Sequence, residues 1–252
     1  MSRFADRVVL VTGGGSGIGA AIAHRFANEG ATVVVVGRKS EKLEKTAAGT
    51  TMLVRVADVT VPVEVEALIA GVVADLGHLD VLVNNAGAPA FGAIEAVTPE
   101  QWRATMAINL DALYHTSRAA IGHLRDRRGC IVNIGSGAAL GGDYNMVAYN
   151  VAKGAVVNLT RAMALDHAPE VRVNAVHPGF TRDTGITGEL GLDHPIVTAF
   201  EERIPFGRTA EADEIAAVVA FLAGPDASYV TGAQIPVDGG VSATSGQPRI
   251  GI

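Results

Sequence analysis

The chain has 252 residues, 48% of them apolar, which suffices for one large α/β domain or two small ones with a substantial core and excludes disordered and collagen-like classes. Its 20 Lys and Arg against 26 Asp and Glu give a net charge of −6, with no basic run long enough to track a nucleic-acid backbone. No stretch approaches the ~18 apolar residues of a membrane span and the first residues are too polar for a secretory leader, so the expectation is a cytoplasmic protein that acts on a small molecule, away from membranes and nucleic acid.

Val8 to Val11 form a Val-rich apolar run that reads as a strand buried on both faces. Thr12-Gly13-Gly14-Gly15-Ser16-Gly17-Ile18-Gly19 follows, then an Ala-rich segment in which Ile18, Ile22, Ala23 and Phe26 fall at helical spacing. Gly13, Gly17 and Gly19 permit positive φ and close approach of a ligand, and the N–H groups that open a helix favour an anion. A strand before the glycines and a helix after them make a diphosphate cradle of what alone would be a linker. Thr32 to Val36 is a second β-branched run, so the first three elements predict the βαβ unit of a parallel sheet. That strand ends in Gly37-Arg38-Lys39. An acidic residue about 20 positions beyond the glycines would grip an adenine ribose 2′-hydroxyl, whereas Arg there accommodates a 2′-phosphate. The acidic position is empty and two cations stand beside it, which favours NADP(H) over NAD(H); the competing reading is a pair of solvated loop cations.

Met52 to Val56 predicts the third strand, ending in Asp58-Val59; Asp58 is placed to accept a hydrogen bond from an adenine amino group, to cap the helix that Pro62 opens, or both. Leu79 to Val83 predicts the fourth, running into Asn84-Asn85-Ala86-Gly87, where two amides can satisfy the strand end and two small residues leave room for a ribose. Thr98-Pro99-Glu100-Gln101 predicts a helix start with a reciprocal cap between Thr98 and Gln101. Asn109, further along, is out of place in a helix interior unless its side chain has a role. Arg125, Arg127 and Arg128 close the next helical segment, where cations suit a C-terminus; the sharper alternative is a dock for an acidic carrier protein. The fifth strand, Cys130 to Ile134, holds the single cysteine, expected to be buried, and ends at Gly135-Ser136-Gly137.

Ala148, Ala152, Val156, Leu159 and Met163 repeat at helical spacing over Val147 to His167, so Tyr149 and Lys153 project from one face a turn apart. Val171 to Val176 predicts the sixth strand, before His177-Pro178-Gly179. Residues 180–210 are broken by Gly and Pro, and so long an irregular stretch reads as a substrate-binding lid. Glu211 to Leu222 reads as a helix, Gln234 to Val237 as a seventh strand, and 241–252 as a tail that is mobile or held by another subunit. Nothing divides 1–252 into more than one domain. His177 and His194 read as structural or solvent-facing, and no metal is expected, since no histidine pair has ligand spacing on a helix.

A free phenol titrates near pH ~10, so acid/base work near neutrality calls for a neighbouring cation, which Lys153 provides one turn along. A Ser136 hydroxyl at a strand end can hydrogen-bond a developing alkoxide. Ligands bind at strand C-termini in open α/β sheets, which gathers the glycine turn, Asn84, Ser136 and 180–210 around one crevice.

Taken together, Thr12-Gly13-x-x-x-Gly17-Ile18-Gly19, Asp58, Asn84-Asn85-Ala86-Gly87, Asn109, Ser136 thirteen residues before Tyr149, Tyr149-x-x-x-Lys153, Pro178-Gly179 and Val237-Asp238-Gly239-Gly240 resemble the short-chain dehydrogenase/reductase family over nearly the whole length. The resemblance implies a Rossmann-type, doubly wound parallel seven-stranded sheet with helices on both faces, and hydride transfer between a nicotinamide and a ketone or aldehyde. It implies Tyr149 as general acid/base, Lys153 as holder of the nicotinamide ribose that also lowers the tyrosine pKa, Ser136 as the residue orienting the substrate oxygen, and Asn109 as support for a water leading to Lys153. Implied cofactor contacts are Gly13, Gly15, Ser16, Gly17, Ile18 and Gly19 in the first turn, and Arg38, Lys39, Asp58 and Val59 at the adenosine end. Asn85, Ala86, Gly87, Tyr149 and Lys153 complete the set with Pro178, Gly179 and Thr181. Two departures stand out: Thr181 and Asp183 replace an aliphatic residue and a Thr, with Thr184 one step late, and Gly135 replaces a common Ser, with little consequence expected. The family likeness also implies a homotetramer paired through the helices around Tyr149. Alternatives to a free carbonyl substrate are a carrier-linked 3-oxoacyl thioester and a cofactor-binding scaffold without catalysis. Ala88, Phe91, Leu140 and Tyr144 are expected to wall the substrate pocket with 180–208.

Overall fold

Valine-rich strands with both faces apolar become the interior of a sheet covered on both sides. A computed structural model describes residues 2–182, 184 and 194–246. β1 (Val8–Thr12), α1 (Gly17–Asn28) and β2 (Thr32–Gly37) form the first parallel unit. Then follow α2 (Ser40–Ala47), β3 (Leu53–Val56), α3 (Pro62–Leu76), β4 (Val81–Asn84), α4 (Pro99–Met106), α5 (Ala112–Asp126) and β5 (Cys130–Ile134). The described chain continues through α6 (Val147–His167), β6 (Arg172–Pro178), α7 (Pro195–Glu201), α8 (Ala212–Ala223) and β7 (Gln234–Val237).

The strands pair in parallel in the order β3-β2-β1-β4-β5-β6-β7. The order reverses between β1 and β4, which opens a crevice at the C-terminal ends of those strands. Alternation sends Val9 and Val11 into one layer with Ile22, Phe26, Ile215 and Val219, and Val8 and Leu10 into the other with Ile69, Leu124 and Ile131. The doubly wound fold read from the sequence is therefore the one observed. Among the described residues no helix is long and apolar enough to cross a membrane.

At α4, the Gln101 N–H donates to Thr98 Oγ1 at 3.2 Å and the Thr98 N–H to Gln101 Oε1 at 2.9 Å, the reciprocal cap expected there. Asn109 Nδ2 donates to the Thr105 carbonyl at 3.0 Å, the acceptor that an α-helix assigns to the Asn109 N–H. The helix widens accordingly into a π turn over 107–111 between α4 and α5. Asp58 does not cap α3, whose N-cap is Val61. Its carboxylate is taken two residues earlier, accepting from the Thr60 N–H at 2.9 Å and the Thr60 hydroxyl at 2.7 Å. The described part of 180–210 includes a short helix, α7, which starts where His194 Nδ1 accepts the Ile196 N–H. Asp183 and 185–193 of that segment, and 247–252 of the tail, lie outside the described residues.

At the opposite, N-terminal ends of the strands, the fully buried Asp80 side chain receives the Val8 N–H at 2.9 Å and pairs with Arg7 at 2.8 Å, Arg127 at 3.1 Å and His78 at 3.1 Å. This knot ties β1, β4 and the turn into β5, and it gives Arg127, of the three arginines there, a structural partner. Arg127 is committed to Asp80, at the end of the sheet away from the crevice. Cys130 is buried as expected, and burial pushes its thiol up to about 11.

Candidate active site

The crevice begins with the turn after β1. Thr12 Oγ1 accepts the N–H groups of Asn85 and Ala86, each at 3.0 Å, and Asn85 Nδ2 donates to the carbonyls of Thr12 at 2.9 Å and Gly13 at 3.2 Å. Two strand tips are thus stitched together without using the N–H groups that open α1. Gly13 and Gly17 take positive φ, as expected. Gly19 does not; a Cβ there would sit 2.2 Å from the Gly13 oxygen, so its glycine serves the close approach of helix and turn. Ser16 makes no side-chain capping bond to α1, and the first helical turn holds no acidic residue. Unsatisfied N–H donors with no competing carboxylate fit the diphosphate of a dinucleotide.

The adenosine end expected at the tips of β2 and β3 holds Arg38, 70% exposed at its side chain, 3.9 Å from Asp58. Burial pushes the Asp58 carboxyl up, but the Thr60 bonds and the Arg38 charge outweigh it and hold the pKa below the ordinary value. Lys39 is exposed and Val59 buried in the core, so Val59 can offer a ligand only its main chain. Asn84 corrects a second expectation: it does not face the crevice. Its amide donates to Ser117 Oγ at 3.1 Å and Asn133 Oδ1 at 2.9 Å and accepts from Thr116 Oγ1 at 2.7 Å, while Asn133 donates to Thr160 Oγ1 at 2.9 Å. This buried chain fixes α6 to the strand tips.

Asn109 Oδ1 accepts the Ala88 N–H at 3.2 Å and its Nδ2 donates to the Ala88 carbonyl at 3.0 Å, clamping the loop after β4. A Cβ on Gly87 would lie 2.9 Å from Asn109 Oδ1 and 3.4 Å from Lys153 Nζ, so the glycine lets the two groups converge. On α6, Tyr149 and Lys153 are both buried; Nζ lies 5.8 Å from the tyrosine ring centroid and donates to the Ile134 carbonyl at 3.0 Å. Burial lowers the lysine from its ordinary 10.5 to about 8. It also pushes the Tyr149 phenol above its ordinary value, with the Asp143 charge acting the same way and the Ser136 hydroxyl acting against them. Desolvation thus dominates at both groups, raising the phenol and lowering the amine.

Ser136 Oγ accepts the Ala138 N–H at 3.2 Å, starting a single 3-10 turn. Gly135, expected to matter little, proves constrained: a Cβ there would meet His177 Nδ1 at 2.2 Å. Gly179 is also closely packed, with its Cβ position 2.8 Å from Asp238 Cα. Thr181 is buried and donates to the Gly179 carbonyl at 3.1 Å. Phe91, Tyr144 and Leu140 are exposed, while Phe180 stacks on Phe200 of α7 at 4.2 Å between ring centroids. The sequence reading missed Asn133 and Thr160; an Asn inside an otherwise apolar strand was the available signal for the first.

A doubly wound sheet with free helix-opening N–H groups at its reversal point, and a Ser beside a buried Tyr-Lys pair, defines an oxidoreductase of the dinucleotide-binding class. A family model described as "Enoyl-(Acyl carrier protein) reductase" matches residues 13–242. The chain is 46% identical to the meso-2,3-butanediol dehydrogenase of Serratia marcescens, over 98% of this chain and 99% of that one. It is 41% identical to 2-(S)-hydroxypropyl-CoM dehydrogenase 3 of Xanthobacter autotrophicus, over 96% and 99%. The ligand-free aldohexose dehydrogenase of Thermoplasma acidophilum superposes with a TM-score of 0.90 at 36% identity, over 99% of both chains. The chain belongs to the short-chain dehydrogenase/reductase family, and it interconverts a carbonyl and an alcohol with a nicotinamide cofactor.

Proposed function

We propose that Ser136, Tyr149 and Lys153, supported by Asn109, carry this chemistry on a small secondary alcohol and its ketone, with NADP(H) preferred over NAD(H). The observation that carries the reading is the convergence of three side chains, Ser136 at the end of β5 acting on the Tyr149 phenol, and Lys153 buried one turn along α6 with its Nζ 5.8 Å from the tyrosine ring centroid. The dinucleotide, when bound, supplies or takes up hydride at its nicotinamide. In the reductive direction Tyr149 donates its proton to the oxygen that becomes the alcohol, and Ser136 donates a hydrogen bond to the same atom. A phenol held above its ordinary pKa stays protonated near neutrality, which suits the acid role. Oxidation requires the phenolate, so its rate rises with pH. Lys153 Nζ and Asn109 Oδ1, on either side of Gly87, are positioned to hold the nicotinamide ribose and a water beside it. The Gly13 to Gly19 turn takes the diphosphate, with Pro178, Gly179 and Thr181 on the far side. Segment 180–210 serves as the lid, with the Phe180 to Phe200 stack joining α7 to the end of β6.

The similarity to a butanediol dehydrogenase makes vicinal diols and hydroxyketones the first substrates to try. A panel of 2,3-butanediol, simple secondary alcohols, aldohexoses and 3-oxoacyl thioesters, with each cofactor, tests the assignment on Tyr149→Phe; undiminished turnover removes Tyr149 from the mechanism. Arg38→Ala is expected to weaken NADPH by roughly tenfold or more, the value of a charge-assisted bond to phosphate, and NADH little. Equal losses would show that Arg38 does not read the 2′-phosphate. A homotetramer is supported by apolar side chains exposed on α5 and α6, Tyr114, Val151 and Leu165 among them; sedimentation at several protein concentrations checks it.

A further inference from the structure

His177 is wholly buried, yet the chemistry above gives it nothing to do. It stands where the β5 to β6 ladder stops. The Gly135 N–H donates to the Val176 carbonyl at 2.8 Å, and Pro178, next on β6, has no N–H with which to continue. The imidazole takes over at that point. Nδ1 lies 3.3 Å from the Ser136 nitrogen and 3.2 Å from the Ser136 oxygen, and Nε2 lies 2.8 Å from Gln234 Oε1 on β7. Gln234 is oriented in turn, because its Nε2 donates to the carbonyls of Val157 at 3.4 Å and Gly232 at 3.3 Å. An amide oxygen only accepts, so Nε2 of the ring carries the proton. The lone pair of the neutral ring therefore sits on Nδ1, where it accepts the Ser136 N–H. Burial outweighs the upward pull of the Gln234 and Ser136 contacts and, with Lys153 and Arg161 acting the same way as burial, keeps the ring below its ordinary pKa.

We propose that His177 is a positioning residue for the reaction: it seats the Ser136 main chain, and through it the hydroxyl, against the Tyr149 phenol. Gly135 is the space that lets the ring arrive there, since any Cβ would overlap Nδ1 at 2.2 Å. Gln234 selects the tautomer. The proposal rests on the role given to Ser136 above, and the test separates the two.

Side-chain length distinguishes the contacts: an Asn amide reaches the place of Nδ1, a Gln amide that of Nε2. Oxidation of 2,3-butanediol with NADP+ is compared in His177→Asn, His177→Gln, Ser136→Ala and the Ser136→Ala/His177→Gln double variant, with NADPH affinity as the check on folding. His177→Gln is expected to lower kcat by about tenfold to a hundredfold, the cost of misplacing a reacting group by about 1 Å, with KM and NADPH affinity largely kept. His177→Asn recovers most of that loss. In the Ser136→Ala background His177→Gln costs nothing further, because it acts through the missing hydroxyl. Equal activity of the Asn and Gln variants, or losses that multiply in the double variant, overturns the proposal. Full activity of Ser136→Ala removes the reading of Ser136 and the proposal with it, whereas a crippled Ser136→Ala beside an intact His177→Gln removes the proposal alone. Where His177→Gln does not fold, Gln234→Met frees the tautomer instead; the same non-multiplying loss in kcat supports the proposal, and full activity overturns it.

Discussion

Lys153 should cost the fold stability, and by an amount that depends on pH. Its amine is 97% removed from solvent by a 3% residual exposure and titrates at about 8 in the fold against 10.5 when free. A folded pKa below the unfolded one means that folding disfavours the charged form, so the penalty is full below the folded value, fades between the two and is gone above the unfolded one. At ~1.4 kcal/mol per decade of shifted equilibrium, the penalty at neutral pH is about 3 kcal/mol. Lys153→Met keeps the length of the side chain and removes the charge, but leaves the Ile134 carbonyl without the bond now made at 3.0 Å, a loss of about 1 kcal/mol. The variant is therefore expected to be inactive and yet more stable, by about 2 kcal/mol near pH ~7, with the advantage vanishing near pH ~10. Equilibrium urea unfolding of both proteins without cofactor, at one protein concentration and both pH values, measures it. A variant less stable than the parent at neutral pH, or an advantage that ignores pH, would refute the argument.

Gly19→Ala forces the Gly13 oxygen off a Cβ 2.2 Å away, an overpacking of about 1–3 kcal/mol that opens the turn; fluorescence titration is expected to show NADPH binding weakened by roughly tenfold or more. Asp80→Ala leaves Arg7, His78 and Arg127 without their shared carboxylate and Val8 without its acceptor. Because those side chains are partly exposed and can hydrate, the expected loss lies at the low end for a broken buried pair, about 3 kcal/mol by urea unfolding, with kcat unchanged in the protein that remains folded. Gly71→Ala, inside α3 with no atom within 4 Å of the new Cβ, should raise stability by about 1 kcal/mol, and a lower denaturation midpoint would count against the open space seen there.

Features set by neighbours in the chain were legible beforehand. The Val runs of β1 and β2, the glycine turn, the Thr98 cap and the Tyr149 to Lys153 spacing each declare themselves within a few residues. α2 did not, because only Leu43 and Thr46 of its eight residues are buried and its pattern is faint. Asn84 was misplaced for a different reason: Ser117, Asn133 and Thr160 come from three other elements, and only their assembly turns the amide inward. Spacing likewise revealed that Tyr149 and Lys153 are neighbours but not that both are desolvated, and desolvation decides the direction in which each titrates. The dependence of Gly135 on His177 joins residues on two strands and is invisible until β5 and β6 are paired.

The knot around Asp80 and the reacting groups occupy opposite rims of one sheet, held apart by the full length of the strands. An engineer seeking a hardier catalyst can therefore randomise the neighbours of Arg7, His78 and Arg127 without retuning turnover, while libraries aimed at new substrates can explore the other rim on a chassis whose foundations they never disturb.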